Sequence, residues 1–75
     1  MNTNRTIKPG AKYMHFKGKE YRVLYLAKHS ETLEDMVVYQ PLYGERGIWV
    51  RSLHMFLEMV EVDGNMVERF REIEG

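Results

Sequence analysis

His29-Ser30-Glu31 sets side by side the three residue types of a hydrolase triad. Their adjacency argues against that chemistry, because a working triad converges from separate segments. In extended backbone, consecutive side chains also point to opposite faces. Ser30 is expected instead to bond its own loop backbone, as Ser does in turns. Three histidines, His15, His29 and His54, could ligate a metal if folding gathered them. None shares the HxH or HxxxH spacing that puts two ligands on one face, and HExxH does not occur. The absence of cysteine excludes disulfides, thiolate zinc sites and cysteine nucleophiles. Gly44 and Gly47 flank Glu45-Arg46 without the Lys or the strand-to-helix setting of a phosphate loop. The reading is a protein with no catalytic residue, no metal and no cofactor.

The aromatic residues carry more. Tyr39 and Tyr43 lie four apart and share a face if the segment is extended. Trp49 and Arg51 share a face of the next segment, across a short hairpin. If the two faces coincide, they form an aromatic platform with one guanidinium at its edge. Such a surface suits an extended, proline-rich peptide. It also suits unpaired bases, which stack on rings while Arg holds phosphate. The competing account puts Tyr39 and Trp49 in the core, because aromatic residues dominate small interiors. Trp49 is expected there, Tyr43 stands evenly between core and surface, and Arg51 is the leading candidate.

These residues need strands to hold them. Turn signals recur at short intervals, which points to an all-β sandwich or barrel. Lys8-Pro9-Gly10 leads in, residues 12–16 read as a first strand, and Gly18 supplies the positive φ of a hairpin. Residues 20–29 form a long second strand, apolar on both faces: Tyr21, Val23, Tyr25 and Ala27 on one, Leu24 and Leu26 on the other. A strand of that kind is expected to bend and serve two sheets. A polar loop follows at 30–35, with Leu33 as its apolar anchor. Residues 36–43 and 48–51 give a third and fourth strand around the hairpin at 44–47, with Pro41 confined to an edge or bulge.

Residues 52–60 are ambiguous. Leu53, Phe56, Leu57 and Val60 follow helical spacing behind a Ser52 cap, yet the run passes straight into the hairpin signal Asp63-Gly64. The reading is one helical turn at 53–56 and then a fifth strand to 62, with a two-turn helix as the alternative. A sixth strand at 65–70 completes the set. The fold class expected is all-β: a small SH3-like barrel of five to six strands with one short helical turn. Residues 7–70 make the single domain, and residues 1–6 and 71–75 are read as flexible ends.

With 75 residues the chain has room for one domain and a thin core. Barrel closure or self-association would compensate, so a monomer or weak homodimer is expected. The polar start and the lack of a long apolar run predict a cytoplasmic protein that does not span a membrane. Eleven basic and eleven acidic residues cancel. Residues 1–29, however, carry seven Lys or Arg against Glu20 alone, while 30–75 carry four Arg against ten acids. Such asymmetry can mark a nucleic-acid face, here Lys12, Lys17, Lys19, Arg22 and Lys28. The favoured account is that first and last strands pair and interleave the two signs.

The order of several blocks resembles a family of short bacterial proteins, domain of unknown function 1653. The blocks are His15-Phe16-Lys17-Gly18, Tyr21 with Val23, Ala27 through Glu34, Val37-Val38-Tyr39, and Leu42-Tyr43-Gly44. Trp49-Val50-Arg51, Met55-Phe56, Val60 through Gly64, and Arg69-Phe70 continue it, so the resemblance covers about residues 7–70. Ser52 and Glu68 stand where the family often has Pro. Ser caps a helix that Pro would begin, and Glu restores a backbone donor that Pro would withhold. The resemblance implies no catalytic residues.

The sequence therefore reads as a non-catalytic binding module for a peptide or protein, with Tyr39, Tyr43, Trp49, Arg51, His29 and Glu31 as candidate contacts. Single-stranded nucleic-acid binding through the basic strands is one alternative. An accessory module of an enzyme, using His29 and Glu31, is the other.

Overall fold

The structure, a computed structural model, describes residues 7–74, the side chain of Glu74 excepted. Seven strands and one helical turn follow in order: β1 (Lys12–His15), β2 (Glu20–Lys28), β3 (Asp35–Pro41), β4 (Trp49–Ser52), α1 (Leu53–Phe56), β5 (Met59–Val62), β6 (Asn65–Glu68) and β7 (Phe70–Glu74). The strands pair antiparallel, as a five-stranded sheet in the order β4-β3-β2-β1-β7 and a two-stranded sheet of β5 and β6. No closed barrel is found among the described residues, whose larger sheet ends at β4 and β7. The domain is all-β with one short helix. No helix among the described residues is long and apolar enough to cross a membrane.

The expected fraying of the tail is overturned for residues 71–74, which belong to β7 and pair with β1. Only Arg69 separates β6 from β7. Its N–H donates to Glu58 O at 3.0 Å, and its carbonyl accepts from Phe16 N–H at 2.9 Å. One bent strand thus serves both sheets, and it covers the β1 edge that would otherwise offer unpaired backbone groups. The expected flexible start, residues 1–6, lies outside the described residues.

The bend expected of β2 is a bulge. Val23 lies opposite Tyr39 and Tyr25 opposite Val38, so Leu24 is the extra residue. An extra residue shifts the alternation by one and bends the strand. Tyr21 and Val23 therefore share the inward face of Tyr39, whereas Tyr25 and Ala27 face the other way. This corrects the single-face grouping of those four residues.

The core consists of Ile7, Ala11, Tyr13, Val23, Val37, Tyr39, Phe56 and Phe70. Phe56 and Phe70 stack face to face at 4.0 Å, with Tyr13 edge-on to Phe56 at 5.5 Å. The helical turn delivers Phe56. Ser52 Oγ accepts from Met55 N–H at 3.1 Å, as its capping position predicts, and the chain leaves the turn after one cycle. Asp63 (φ 52°) and Gly64 (φ 84°) both take the left-handed conformation that a two-residue hairpin with natural twist requires. Leu33 is no anchor. It is 69% exposed, and it adopts φ 64° at the close of the β2–β3 loop.

Candidate ligand cradle

The inward face of β1, β2, β3 and β7 gathers its rings into one cluster. Tyr39 (2% exposed) and Phe70 (1%) form its floor. Tyr21, half-buried, stands edge-on to both, at 5.6 Å from Tyr39 and 5.5 Å from Phe70. His15 lies opposite Phe70 in the β1–β7 ladder, 4.9 Å from its ring and 6.2 Å from Tyr21. Tyr43, 42% exposed, follows β3 and forms the rim: its ring is 5.7 Å from Tyr21, and the two hydroxyls share a hydrogen bond of 2.8 Å.

Arg51 enters from β4. Its guanidinium lies 5.7 Å over the Phe70 ring, and Nε donates to the Tyr39 hydroxyl at 3.3 Å. The ring face attracts the cation and the hydroxyl fixes its orientation. No carboxylate pairs with Arg51 among the described residues. Lys19 sits 5.0 Å over Tyr43, and Lys17 sits 5.9 Å over Phe16. Arg69, nearby, is bound to Glu58 at 3.0 Å, while its buried Nε has no hydrogen-bond partner among the described residues.

This crowd of cations shapes two titrations. Burial lowers the His15 pKa from its usual 6.5, and Arg51, Arg69 and Lys17 lower it further. The neutral ring accepts a hydrogen bond at Nδ1 from Lys17 N–H at 3.2 Å. An accepting Nδ1 leaves the proton on Nε2, which makes that nitrogen a donor. Tyr21 is pushed up to about 12, first by burial and then by its bond to Tyr43, with Tyr43 and Tyr39 adding and Arg51 opposing. Tyr21 thus stays a hydroxyl at neutral pH. The cradle offers cationic and neutral donors between ring walls.

Of the residues expected to bind, Tyr39, Tyr43 and Arg51 are brought together here, with Tyr21 as the link. Tyr39 is floor rather than platform. Trp49 lies opposite Tyr39 in the ladder and so shares its face, as the two-face condition required. Its expected place in the core is overturned. The indole is 57% exposed, makes no ring contact among the described residues, and leans toward the β3–β4 loop, where a Cβ on Gly47 would stand 3.3 Å from it. Trp49 sits on the edge strand β4, where its ring is left exposed.

His29 and Glu31 lie elsewhere. His29 caps the β2–β3 loop, with Nδ1 accepting from Glu31 N–H at 3.1 Å and Thr32 N–H at 3.3 Å. The backbone-bonding role expected of Ser30 thus falls to its neighbour. No cluster of metal-ligating side chains occurs among the described residues.

The basic residues of the first strands are dispersed. Lys12 meets Glu20 at 3.6 Å, Lys28 meets Asp35 at 2.6 Å, and Arg22 donates to Gly10 O at 2.6 Å. Lys8 and Glu72 add a contact at 3.6 Å between the ends of the chain. The two signs interleave. His15, Tyr21 and Phe70 were not among the expected contacts. Their signal was the alternation of β1 and β2, which puts Tyr13, His15 and Tyr21 on one face. An apolar cleft of about 480 Å³ lies between the β5–β6 hairpin and β1, with Met14, His15, Phe16, Met59 and Met66 in its walls, so His15 borders it as well as the ring cluster.

The arrangement defines a small antiparallel all-β domain with a ring cluster, covered at one side by Arg51, on one face of its larger sheet. The chain belongs to the family described as "Protein of unknown function (DUF1653)", whose model matches residues 11–72. It is similar to the crystal structure of a DUF1653 protein from Bordetella bronchiseptica, with 36% identity and a TM-score of 0.81 over 91% of this chain and 88% of that one. No curated protein matches the chain. The resemblance read from the ordered sequence blocks is thus the family itself.

Proposed function

We propose that this domain is a non-catalytic binding module that takes a peptide segment of a protein partner into the cradle of Tyr21, Tyr39, Tyr43 and Arg51. The observation that carries this reading is Arg51. A half-buried guanidinium is held on Phe70 and Tyr39 without a carboxylate among the described residues, beside a tyrosine rim open to solvent. Removing a cation from water without an ion pair is costly, and a partner that supplies the missing acceptors recovers the cost. Tyrosine and arginine are also the side chains that contribute most at protein contacts. Tyr21, fully protonated at neutral pH, and His15, held neutral, serve as hydrogen-bond donors rather than as an acid–base pair. The pairing of Lys12 and Lys28 with carboxylates favours this reading over a nucleic-acid track.

Selection of displayed random peptides on the wild-type domain, followed by binding to Arg51→Ala and Tyr43→Ala variants, tests the reading. Enriched peptides should lose most of their affinity for both variants. Peptides that bind both variants as well as wild type would remove the cradle as the site.

A further inference from the structure

We propose that the group recognised in the cradle is a carboxylate, held by the terminal nitrogens of Arg51 with His15 Nε2–H and a tyrosine hydroxyl as neutral donors. This deepens the peptide reading and rests on it. Nε of Arg51 is occupied by the Tyr39 hydroxyl. The remaining Nη1 and Nη2 edge has the parallel N–H pair that matches the two oxygens of a carboxylate. His15 packs against the same Phe70 ring that Arg51 covers, at 4.9 Å, and its Nδ1 is already engaged by Lys17 N–H. The proton of neutral His15 is therefore on Nε2. In the Tyr21–Tyr43 pair one hydroxyl donates to the other, so the accepting hydroxyl keeps its own proton for a ligand.

The charge balance favours a monoanion. Arg51 contributes one uncompensated positive charge, His15 is neutral, and Arg69 is offset by Glu58. Lys17 and Lys19 lie outside, over Phe16 and Tyr43, where solvent screens them. An aspartate or glutamate side chain and a chain terminus share this chemistry.

Benzoate, neutral benzamide and inorganic phosphate serve as probes in NMR titrations of the ¹⁵N-labelled domain. Benzoate should shift the His15, Tyr43 and Arg51 signals, and benzamide should bind about tenfold or more weakly, the usual worth of a charge-assisted bond. Arg51→Gln should remove that preference, while His15→Gln, which keeps a donor, should retain more benzoate affinity than His15→Phe. Peptides selected on the wild-type domain should weaken when their acid is replaced by an amide. Equal binding of benzoate and benzamide at the cradle would overturn the carboxylate assignment and leave the ring cradle standing. Tighter binding of phosphate than of benzoate would overturn it likewise. No cradle shifts with any probe would overturn the assignment, and the peptide selection would then decide the wider reading separately.

Discussion

His15 and His29 use the same local device, yet only one stands in a candidate site. Each follows or ends a strand and accepts a backbone hydrogen bond at Nδ1 from a residue two positions on, Lys17 in one case and Glu31 in the other. Around His15 the larger sheet places Tyr21, Phe70 and three cations. Around His29 there is an exposed loop, and the second amide bonded to its ring belongs to Thr32 of the same loop. The chemistry of a histidine here is set by long-range pairing, since His15 owes its surroundings to a β7 strand 55 residues along the chain, opposite it at Phe70. Local spacing made His29 the more conspicuous of the two. The sheet made His15 the more consequential.

The largest way to break this contrast is to remove the ring beneath His15. Phe70→Ala should cost about 3–5 kcal/mol, as deletion of a buried aromatic does, and should lower the midpoint of urea unfolding or leave the domain unfolded. His29→Ala, which removes two exposed loop bonds, should cost only about 0.5–1.5 kcal/mol in the same measurement. If the two substitutions cost the same, the loop is as integral as the ring cluster, and the contrast fails.

Acid should weaken the His15 cluster. The folded pKa of His15 lies below 6.5, so the unfolded chain takes up its proton first as pH falls. The stabilising contribution of neutral His15 is therefore complete above 6.5 and is lost between 6.5 and the lowered folded value. His15→Gln should flatten that part of the stability profile, and an unchanged acid slope would contradict it. Arg51→Gln should raise the His15 midpoint in an NMR titration, because Arg51 is the second cause of its depression after burial. The smallest effect belongs to the exposed Lys28–Asp35 pair beside the His29 loop. Asp35→Asn should change stability by no more than about 1 kcal/mol, and less at high salt.

The fold was legible where local chemistry decides it. Ser52 as cap, one helical turn at Leu53–Phe56, and the Asp63-Gly64 hairpin all follow from residues within a few positions of each other. Strands β1 to β5 were legible to within a few residues from alternation and turns. The bulge at Leu24 was not, because a strand apolar on both faces carries no mark of where its register slips. Nor was β7, whose charged sequence is strand only because the β1 edge needs a partner. At the site, Arg51 with Tyr39 and Tyr43 could be read from spacing across a hairpin. Phe70 could not, since its place beside His15 and Tyr21 depends on β7. Trp49 misled for a related reason: its apolar size suggests burial, and only the edge position of β4 exposes it.

The most direct test of the cradle is to map, by amide and side-chain NMR shifts, where a peptide selected on the wild-type domain settles. Shifts centred on Tyr21, Tyr43 and Arg51, with residues 29–32 and the Met59 and Met66 signals unmoved, are the result expected. Shifts confined to that cleft or to the His29 loop, with Arg51 silent, would contradict it.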